Sequence, residues 1–272
     1  MNLKLLQKEF YMLYYNCSIN ERCGDMARDI TINAIKRLPI YYVIFEDLYA
    51  RGVHRVSSSE LSSYTKFTAS QIRADLNTFG AEGRQGYGYN VETIYMDLKG
   101  VLGLDYKKNL ILTGVGNIGQ AIIQSREFES SGFKFIGLFD SNPNMIGLSF
   151  NGIKVRNISE LEDFAKNNTI DIGVIAVTSN SARDVARTYE KIGIKAIWNF
   201  APTVLDVGKD IIVENVPLSE SLFTLNYLLK CKNDGTFTSD DYVNRAKDIV
   251  YDKELGRYRE SKKRGRPRKE SK

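Results

Sequence analysis

The sequence predicts an α/β protein of two successive domains, because the spacing of apolar residues changes along its 272 residues. Up to about residue 104, apolar residues recur at helical intervals, and a glycine-rich stretch follows two short helical patterns. From Asn109 onward, short β-branched segments alternate with helical patterns, which is typical of a parallel sheet with right-handed crossovers. The expected fold class is an N-terminal winged helix-turn-helix followed by a Rossmann-type parallel sheet.

The composition limits the class of protein further. Apolar residues make up 43% of the chain, but runs such as Ile172–Val177 are too short to span a membrane. The three cysteines (Cys17, Cys23 and Cys231) are scattered, and His54 is the only histidine. This pattern favours a reduced compartment and argues against a zinc site. We expect a cytoplasmic protein without a leader, a membrane segment or a metal.

The first domain contains two predicted helices with strong start signals. Ser57-x-x-Glu60 is a capping-box pattern, and Thr68-x-x-Gln71 begins a second helix that Gly80 closes. Two short helices with a tight break between them have the proportions of a helix-turn-helix. The segment GAEGRQGYGYNV then predicts a glycine-rich hairpin, the wing, which ends in an apolar strand.

DNA contacts are expected from the second of these helices and from the wing. Arginine and glutamine suit the guanine and adenine edges in the major groove, while an arginine in the wing would contact phosphate. The residues expected to contact DNA in this domain are Ser58, Ser70, Gln71, Arg73, Arg84 and Gln85.

The second domain opens with a dinucleotide-binding pattern. Gly114-Val-Gly116-Asn-Ile-Gly119 follows an apolar strand and precedes a helix, whose N–H groups near Asn117 and Ile118 would hold a pyrophosphate. The next strand ends in Asp140, whose carboxylate would bind the ribose hydroxyls and so favours NAD(H) over NADP(H). ADP, ATP and CoA fit the same pattern.

A basic tail ends the chain. Between Arg257 and Lys272 there are nine Lys/Arg and two Glu, so the tail carries more positive charge than the whole chain, whose net charge is +5. Its core resembles an AT-hook, in which Gly and Pro keep the backbone narrow so that arginines enter the minor groove of A·T-rich DNA. The residues expected to contact DNA there are Arg264, Gly265, Arg266, Pro267 and Arg268.

Catalysis finds little support in the sequence. His54 lies far from the glycine loop, and Tyr95-x-x-x-Lys99 precedes the dinucleotide pattern where a short-chain reductase has it afterwards. We therefore expect no catalytic residues and no enzyme activity. Two alternatives stay open: an architectural protein that binds A·T-rich DNA, and an NAD-dependent oxidoreductase fused to an N-terminal module.

From about Ile30 to Leu229 the chain resembles the Rex family of redox-sensing bacterial repressors. The resemblance is carried, in order along the chain, by IKRLPIYY, RVSSSELS, TASQIRADL, GRQGYGYNVE, GVGNIGQA, FDSNPNMIG, WNFAP and IIVENV. It implies a homodimer that binds a palindromic operator in double-stranded DNA, with NAD(H) in each Rossmann domain. The helix Ser219–Leu229 would swap into the partner subunit, and NADH would release DNA. The positions expected to line the nicotinamide end are Asn199, Phe200, Ala201 and Pro202, and Thr178 is also expected to contact the cofactor.

Four positions depart from the family pattern. Val43, Ser125 and Pro217 stand where the family usually has an arginine, a tyrosine and an aspartate that link across the dimer, and Ala74 replaces a usual lysine. A divergent member with an altered NADH response is therefore expected. The expected divisions of the chain are an extension (1–25), the winged helix (26–104), the Rossmann domain (105–218), the swapped dimerisation helix (219–231), and a disordered linker and tail (232–272).

Overall fold

The computed structural model describes residues 31–65, 67–81, 87–216, 218–236, 249–252 and 257–260. The described chain divides into two compact units at Gly103/Leu104, and the second unit ends at Leu228. The expected wing residues 82–86, residue 217 and most of the basic tail lie outside the described residues. The expected order of a helical domain and then a parallel-sheet domain is confirmed.

The N-terminal part of the first unit, up to Gly103, is built from helices and one short strand pair, and residues from Leu229 onward also belong to this unit. The elements up to Gly103 are α1 (Ile32–Ala50), β1 (Arg55–Val56), α2 (Ser58–Tyr64), α3 (Ala69–Thr78), β2 (Tyr89–Asn90) and α4 (Val91–Val101). β1 and β2 are antiparallel, with Arg55 opposite Asn90 and Val56 opposite Tyr89. The core consists of large side chains that are almost fully buried: Leu38, Tyr41, Phe45, Leu61, Ile72, Leu76 and Leu98.

The two helices of the predicted helix-turn-helix begin where their capping residues lie. Ser57 Oγ accepts a hydrogen bond from the Glu60 N–H at 3.1 Å, and Glu60 Oε2 accepts one from the Ser57 N–H at 2.7 Å. Thr68 Oγ1 accepts from the Gln71 N–H at 3.2 Å. Gly80, just after α3, has a φ of +77°, a value that favours glycine. The predicted helix starts are confirmed.

The apolar strand expected at the end of the wing is shorter than predicted. A strand of two residues, β2, gives way at once to α4, because Asn90 Oδ1 caps the helix by accepting from the Thr93 N–H at 2.9 Å. Val91, Ile94 and Leu98 recur at helical spacing and are buried. Helical periodicity and a capping residue therefore outweigh the β-branched start of the segment.

The second unit is a seven-stranded sheet whose order is β5-β6-β4-β3-β7-β8-β9. Its strands are β3 (Lys108–Thr113), β4 (Phe133–Asp140), β5 (Ser149–Phe150), β6 (Ile153–Asn157), β7 (Ile172–Ile175), β8 (Ala196–Asn199) and β9 (Ile212–Asn215). All pairs are parallel except β5 with β6. The chain runs outward from β3 first through β4 and later through β7. The crevice between these two directions is where Rossmann sheets bind ligands.

Helices occupy three of the connections in the sheet, those from β3 to β4, from β6 to β7 and from β7 to β8. The helical elements are α5 (Asn117–Gln124), α6 (Arg126–Ser130), a 3₁₀ turn (Ile158–Glu160), α7 (Leu161–Lys166) and α8 (Ser179–Lys191). Apolar clusters cover both faces of the sheet, one around Phe139 and Tyr189 and the other around Leu112 and Leu138. A Rossmann-type parallel sheet with helices between its strands is thereby confirmed.

The C-terminal elements differ in extent from the expectation. The last helix, α9 (Leu218–Asn233), covers the expected dimerisation helix and continues past residue 231. Residues 249–252 and 257–260 form an antiparallel strand pair, β10 and β11. This pair lies in the segment for which a disordered linker and tail were expected. Backbone pairing of this kind leaves little trace in the composition of a charged segment.

Candidate nucleotide site and nucleic-acid interface

The glycine loop joins β3 to α5 at the carboxyl edge of the sheet. Gly114 has a φ of +97°, and a Cβ there would lie 2.6 Å from the Ala176 carbonyl oxygen. A Cβ at Gly119 would collide with the Gly114 carbonyl oxygen. The first and third glycines are therefore required by the backbone turn and by the close packing of α5 against it.

The middle glycine has a different environment. A Cβ added at Gly116 would meet no atom within 4 Å, and the residue has an ordinary extended backbone. The space in front of Gly116 adjoins the start of α5, where the N–H groups of Asn117 and Ile118 precede the first intrahelical bond, from Gln120 N to Gly116 O. Such a helix start attracts an anion. The arrangement leaves room for a phosphate group to approach the backbone.

Asp140 ends β4, the strand next to β3. Its Oδ2 accepts a hydrogen bond from the Val115 N–H at 2.7 Å, and its Oδ1 accepts one from the Asn142 N–H at 2.8 Å. These contacts place the carboxylate beside the glycine loop, and each oxygen keeps a lone pair for a further donor. The sequence-predicted loop and acidic residue therefore lie together.

The remaining predicted nucleotide residues follow β7 and β8 at the same edge. Thr178 precedes α8, and the Ser179 hydroxyl donates to the Pro202 carbonyl at 3.5 Å. The Phe200 ring packs edge-on against Trp198, with centroids 4.6 Å apart. These contacts bring the segments after the two strands side by side.

Asn199 organises the loop after β8. Its side chain is 1% exposed, and its Nδ2 donates to the carbonyls of Ala201 and Thr203 and to Asn215 Oδ1 at 2.8 Å. Its Oδ1 accepts from the Ala201 N–H at 3.0 Å. Because its amide group is occupied by the protein itself, Asn199 shapes this part of the site through the backbone.

Tyr189 supports the glycine loop from below, a role that sequence reasoning missed. Its hydroxyl lies 2.8 Å from Thr113 Oγ1 and 2.9 Å from the Val174 carbonyl oxygen. Burial raises the pKa of this hydroxyl, so it stays protonated and can donate to the carbonyl. Thr113 directly precedes Gly114. Only the absence of a side chain at Gly173 lets the Tyr189 ring lie against β7.

The helix-turn-helix contains a direct contact between two predicted DNA-binding residues. Arg73 Nη1, on α3, donates to Ser58 Oγ, on α2, at 2.8 Å. Both residues lie toward the surface of the first unit. Hydrogen bonds from Ser57 hold the pKa of the Glu60 carboxyl below its usual value, so the cap at the start of α2 is charged at neutral pH.

The exposed residues of α3 are Ser70, Arg73, Ala74, Asn77 and Thr78. Gln71, on the same helix, is half-buried. Asn77 was not among the predicted DNA-contacting residues, although asparagine suits an adenine edge. Its position one helical turn after Arg73 could have revealed it, because residues at this spacing share a face.

Arg55 is a second residue that sequence reasoning missed. On β1, its guanidinium lies 5.7 Å from the centre of the Tyr87 ring and donates to the Tyr87 carbonyl at 3.4 Å. This exposed cation lies beside the segment that leads from the wing. Arg84 and Gln85 lie outside the described residues, as do the predicted tail residues Arg264, Gly265, Arg266, Pro267 and Arg268.

The described residues contain neither a candidate membrane span nor a candidate metal-binding cluster. No helix in that part of the chain is long and apolar enough to cross a membrane. No group of three or more His, Cys, Asp or Glu among the same residues could hold a metal ion.

The fold and the two sites together define a class of DNA-binding proteins that carry a Rossmann-type nucleotide-binding domain.

Comparisons with known proteins agree with this class. Residues 29–77 match the family model "Putative DNA-binding protein N-terminus", and residues 105–203 match "CoA binding domain". The redox-sensing transcriptional repressor Rex of Clostridioides difficile strain 630 is 51% identical over 203 residues, which cover 75% of this chain and 97% of that protein. Rex of Clostridium novyi strain NT is 49% identical over 205 residues, 75% of this chain and 98% of that protein.

Solved structures give the same result. The crystal structure of RSP in complex with β-NAD⁺ and operator DNA has a TM-score of 0.71 and 47% identity over 75% of this chain and 94% of that one. RSP in complex with β-NADH has a TM-score of 0.69 and 45% identity, covering 75% and 96%. RSP is described as a Rex-family repressor. This chain belongs to the Rex family of redox-sensing transcriptional repressors.

Proposed function

We propose that this protein is a transcriptional repressor that binds a palindromic, A·T-rich operator as a homodimer and holds NAD(H) in its Rossmann domain. The observation that supports the proposal is the 47% identity of this chain to RSP, which has been crystallised with β-NAD⁺ and operator DNA, over 94% of that chain. A protein whose target is chromosomal DNA works in the cytoplasm of a bacterium. The nucleotide acts as a signal and is not turned over.

NAD(H) is the nucleotide that the acidic residue favours. In the proposed complex, Asp140 accepts from the ribose hydroxyls, and the helix start at Asn117 and Ile118 binds the pyrophosphate. A phosphate on that ribose, as in NADP(H) or CoA, would meet the negative charge of Asp140. ADP and ATP lack the nicotinamide that would reach Thr178, Phe200, Ala201 and Pro202.

DNA binding is assigned to the outer face of α3. Arg73 and Gln71 would read base edges, with Ser70 and Asn77 beside them on the same helix. Ser58 orients Arg73 through the 2.8 Å hydrogen bond that joins them. Arg84 and Gln85 in the wing would bind phosphates, which fixes the register of the protein on the duplex.

The basic tail supplies a second DNA contact in this proposal. Its RGRPRK core, Arg264 to Lys269, enters the minor groove of A·T-rich DNA near the operator. The tail also offsets the exposed Ala74 on α3, which stands where the family usually has a lysine. Several phosphate contacts from the tail outweigh the one that is lost.

The dimer contact is assigned to α9. The leucine and phenylalanine side chains of this helix that are more than half exposed in the single chain are Leu218, Leu222, Phe223, Leu225 and Leu229. An apolar surface of this extent on one helix indicates a missing partner. We assign that partner to a second copy of the chain, into which α9 swaps.

The response to NADH is altered in this member of the family. Val43 is an exposed apolar residue on α1, and Ser125 is a small residue between α5 and α6. Neither can form the charged or aromatic link that the arginine and tyrosine of the family provide, and Pro217 replaces the aspartate. A ligand shifts an equilibrium only by its differential affinity for the two states. Without those links, the operator affinities in NADH and in NAD⁺ differ less than in family members that have them.

Selection of binding sites from random duplex DNA by the purified chain tests this function. The repressor proposal predicts enrichment of one palindrome with A·T-rich flanks. An architectural protein would enrich A·T-rich DNA without a palindrome and would bind no adenine nucleotide. An oxidoreductase would enrich no sequence and would consume NADH in the presence of a metabolite, which nicotinamide absorbance measures.

A further inference from the structure

Asp75, on α3, is the one residue with a charged side chain among the buried residues of the described chain, at 5% exposure. A carboxylate in such a position is costly unless it is paired and hydrogen-bonded. It lies on the helix that the proposed function assigns to DNA reading.

Three hydrogen bonds from α1 satisfy the Asp75 carboxylate. Arg37 donates through Nε to Oδ2 and through Nη2 to Oδ1, both at 2.7 Å, which is the bidentate geometry of a guanidinium on a carboxylate. The Tyr41 hydroxyl donates to Oδ2 at 2.6 Å. Hydrogen bonding to Asp75 raises the pKa of Arg37, and burial followed by the same carboxylate raises the pKa of Tyr41. Both donors therefore stay protonated over the working pH range.

Phe67 joins the turn between α2 and α3 to the same cluster. Its ring packs edge-on against the Tyr41 ring, with centroids 5.8 Å apart, and the Arg37 guanidinium lies 5.6 Å from its centre. The Phe67 carbonyl accepts a hydrogen bond from the Ser62 hydroxyl at 2.8 Å. One cluster thus fastens α1, the turn and α3 to one another.

The cluster holds the face of α3 opposite to the one that would read DNA. Successive residues of a helix are about 100° apart, so Asp75 projects away from Ser70 and Arg73. The exposed residues of α3 include Arg73 and Asn77, whereas Ile72, Asp75 and Leu76 are buried. Apolar contacts alone tolerate small rotations of a helix, but a bidentate ion pair has one geometry.

We propose that Arg37 and Tyr41 hold Asp75 in order to fix the rotation of α3 about its axis, which makes all three positioning residues for operator discrimination. This inference rests on the proposed function, since it concerns how the same helix reads DNA. A buried ion pair often adds little net stability, and apolar residues of similar volume can replace it without loss. The cluster therefore contributes orientation more than stability.

The test is a variant with Arg37→Met, Tyr41→Phe and Asp75→Leu, which replaces the polar cluster by apolar residues. We expect its thermal midpoint to stay near that of the wild type. Its affinity for the operator duplex found in the RSP complex, relative to a scrambled duplex, should fall by about tenfold or more, the discrimination that one well-placed base contact supplies. Its affinity for the scrambled duplex should be unchanged.

The control variant is Asp47→Asn with Arg51→Gln, which removes an exposed ion pair of α1 and leaves the net charge unchanged in the same way. It should discriminate like the wild type. Unchanged discrimination in the folded triple variant would overturn the proposal. If the triple variant does not fold, Arg37→Lys keeps the charge of the ion pair but loses its bidentate geometry, and it must still lower discrimination. Failure of the wild type to prefer the operator would instead overturn the proposed function.

Discussion

The Asp140 carboxylate and the Val115 N–H are joined by a 2.7 Å hydrogen bond that ties the end of β4 to the glycine loop. The loop and the carboxylate are 25 residues apart in the chain. Their contact fixes the distance between the place for a pyrophosphate and the place for a ribose. Nucleotide binding thus depends on a geometry that exists before any ligand arrives.

Replacing Asp140 tests this assignment. Asp140→Asn should weaken NADH binding by about tenfold, because hydrogen bonds to a charged acceptor are stronger than those to a neutral one. A fluorescence titration of NADH measures the affinity. Asp184→Asn, which removes an exposed carboxylate from α8, is the matched control. Equal affinities in the two variants would exclude a role for Asp140 in nucleotide binding.

Substitutions at two glycines of the loop should have different effects, one on NADH affinity and the other on stability. Gly116→Ala adds a methyl group that meets nothing within 4 Å, so the thermal midpoint should be unchanged while NADH affinity falls by about tenfold or more. Gly119→Ala drives the same group into the Gly114 carbonyl and should lower the thermal midpoint. Thermal melts with and without NADH distinguish the two effects. Full NADH affinity in Gly116→Ala would contradict the proposed path of the pyrophosphate.

Arg73 should contribute to the preference of the protein for its operator sequence. Arg73→Ala is expected to lower the preference for the operator over a scrambled duplex by about tenfold, since a base contact of this kind contributes about 1–3 kcal/mol. Fluorescence anisotropy at fixed salt gives both affinities. Arg187→Ala, at an exposed arginine of α8, removes the same charge from the other unit. An equal loss on both duplexes would make Arg73 a phosphate contact instead.

The tail should bind DNA through the order of its residues as well as its charge. Deleting residues 261–272 should weaken binding to all duplexes and reduce the salt dependence of the affinity. A variant with the same twelve residues in scrambled order keeps the charge but not the RGRP sequence. It should recover the salt dependence without the preference for A·T-rich flanks. If deletion changes neither affinity nor salt dependence, the tail does not bind DNA.

The exposed face of α9 should hold the dimer together. Leu222→Glu with Leu225→Glu places two charges where an apolar contact is proposed, and the protein should become monomeric by light scattering. Thr224→Glu adds a charge to the same helix away from those two leucines. It should leave the dimer intact. A dimer that survives both leucine substitutions would place the interface elsewhere.

The parts of this molecule that could be predicted from the sequence are those that depend on local rules. Each of the two capping patterns, Ser57 with Glu60 and Thr68 with Gln71, lies within a stretch of four residues. The spacing from Gly119 to Asp140 follows from the geometry of one βαβ unit. Such features require no knowledge of which distant segments meet.

Tertiary pairing accounts for what could not be predicted. Arg37 and Asp75 are separated by 38 residues, and nothing near either one indicates that they meet. The hydroxyl of Tyr189 reaches Thr113, 76 residues away. Asn199 occupies a position expected to line the nicotinamide end, but its amide group is hydrogen-bonded to Ala201 in its own loop and to Asn215 on β9. The point where the strand gives way to α4 has no clear local signal, because Asn90 both ends β2 and caps the helix.

The operator affinity of the wild-type chain, compared at fixed salt in NAD⁺ and in NADH, tests the central claim most directly. We predict tight binding to the operator duplex of the RSP complex with either nucleotide, a preference of about a hundredfold or more over a scrambled duplex, and a small effect of NADH. The variant Val43→Arg, Ser125→Tyr and Pro217→Asp should show a larger effect of NADH. Release of the wild type by NADH alone would contradict the altered response, and equal binding to operator and scrambled DNA would contradict the repressor function itself.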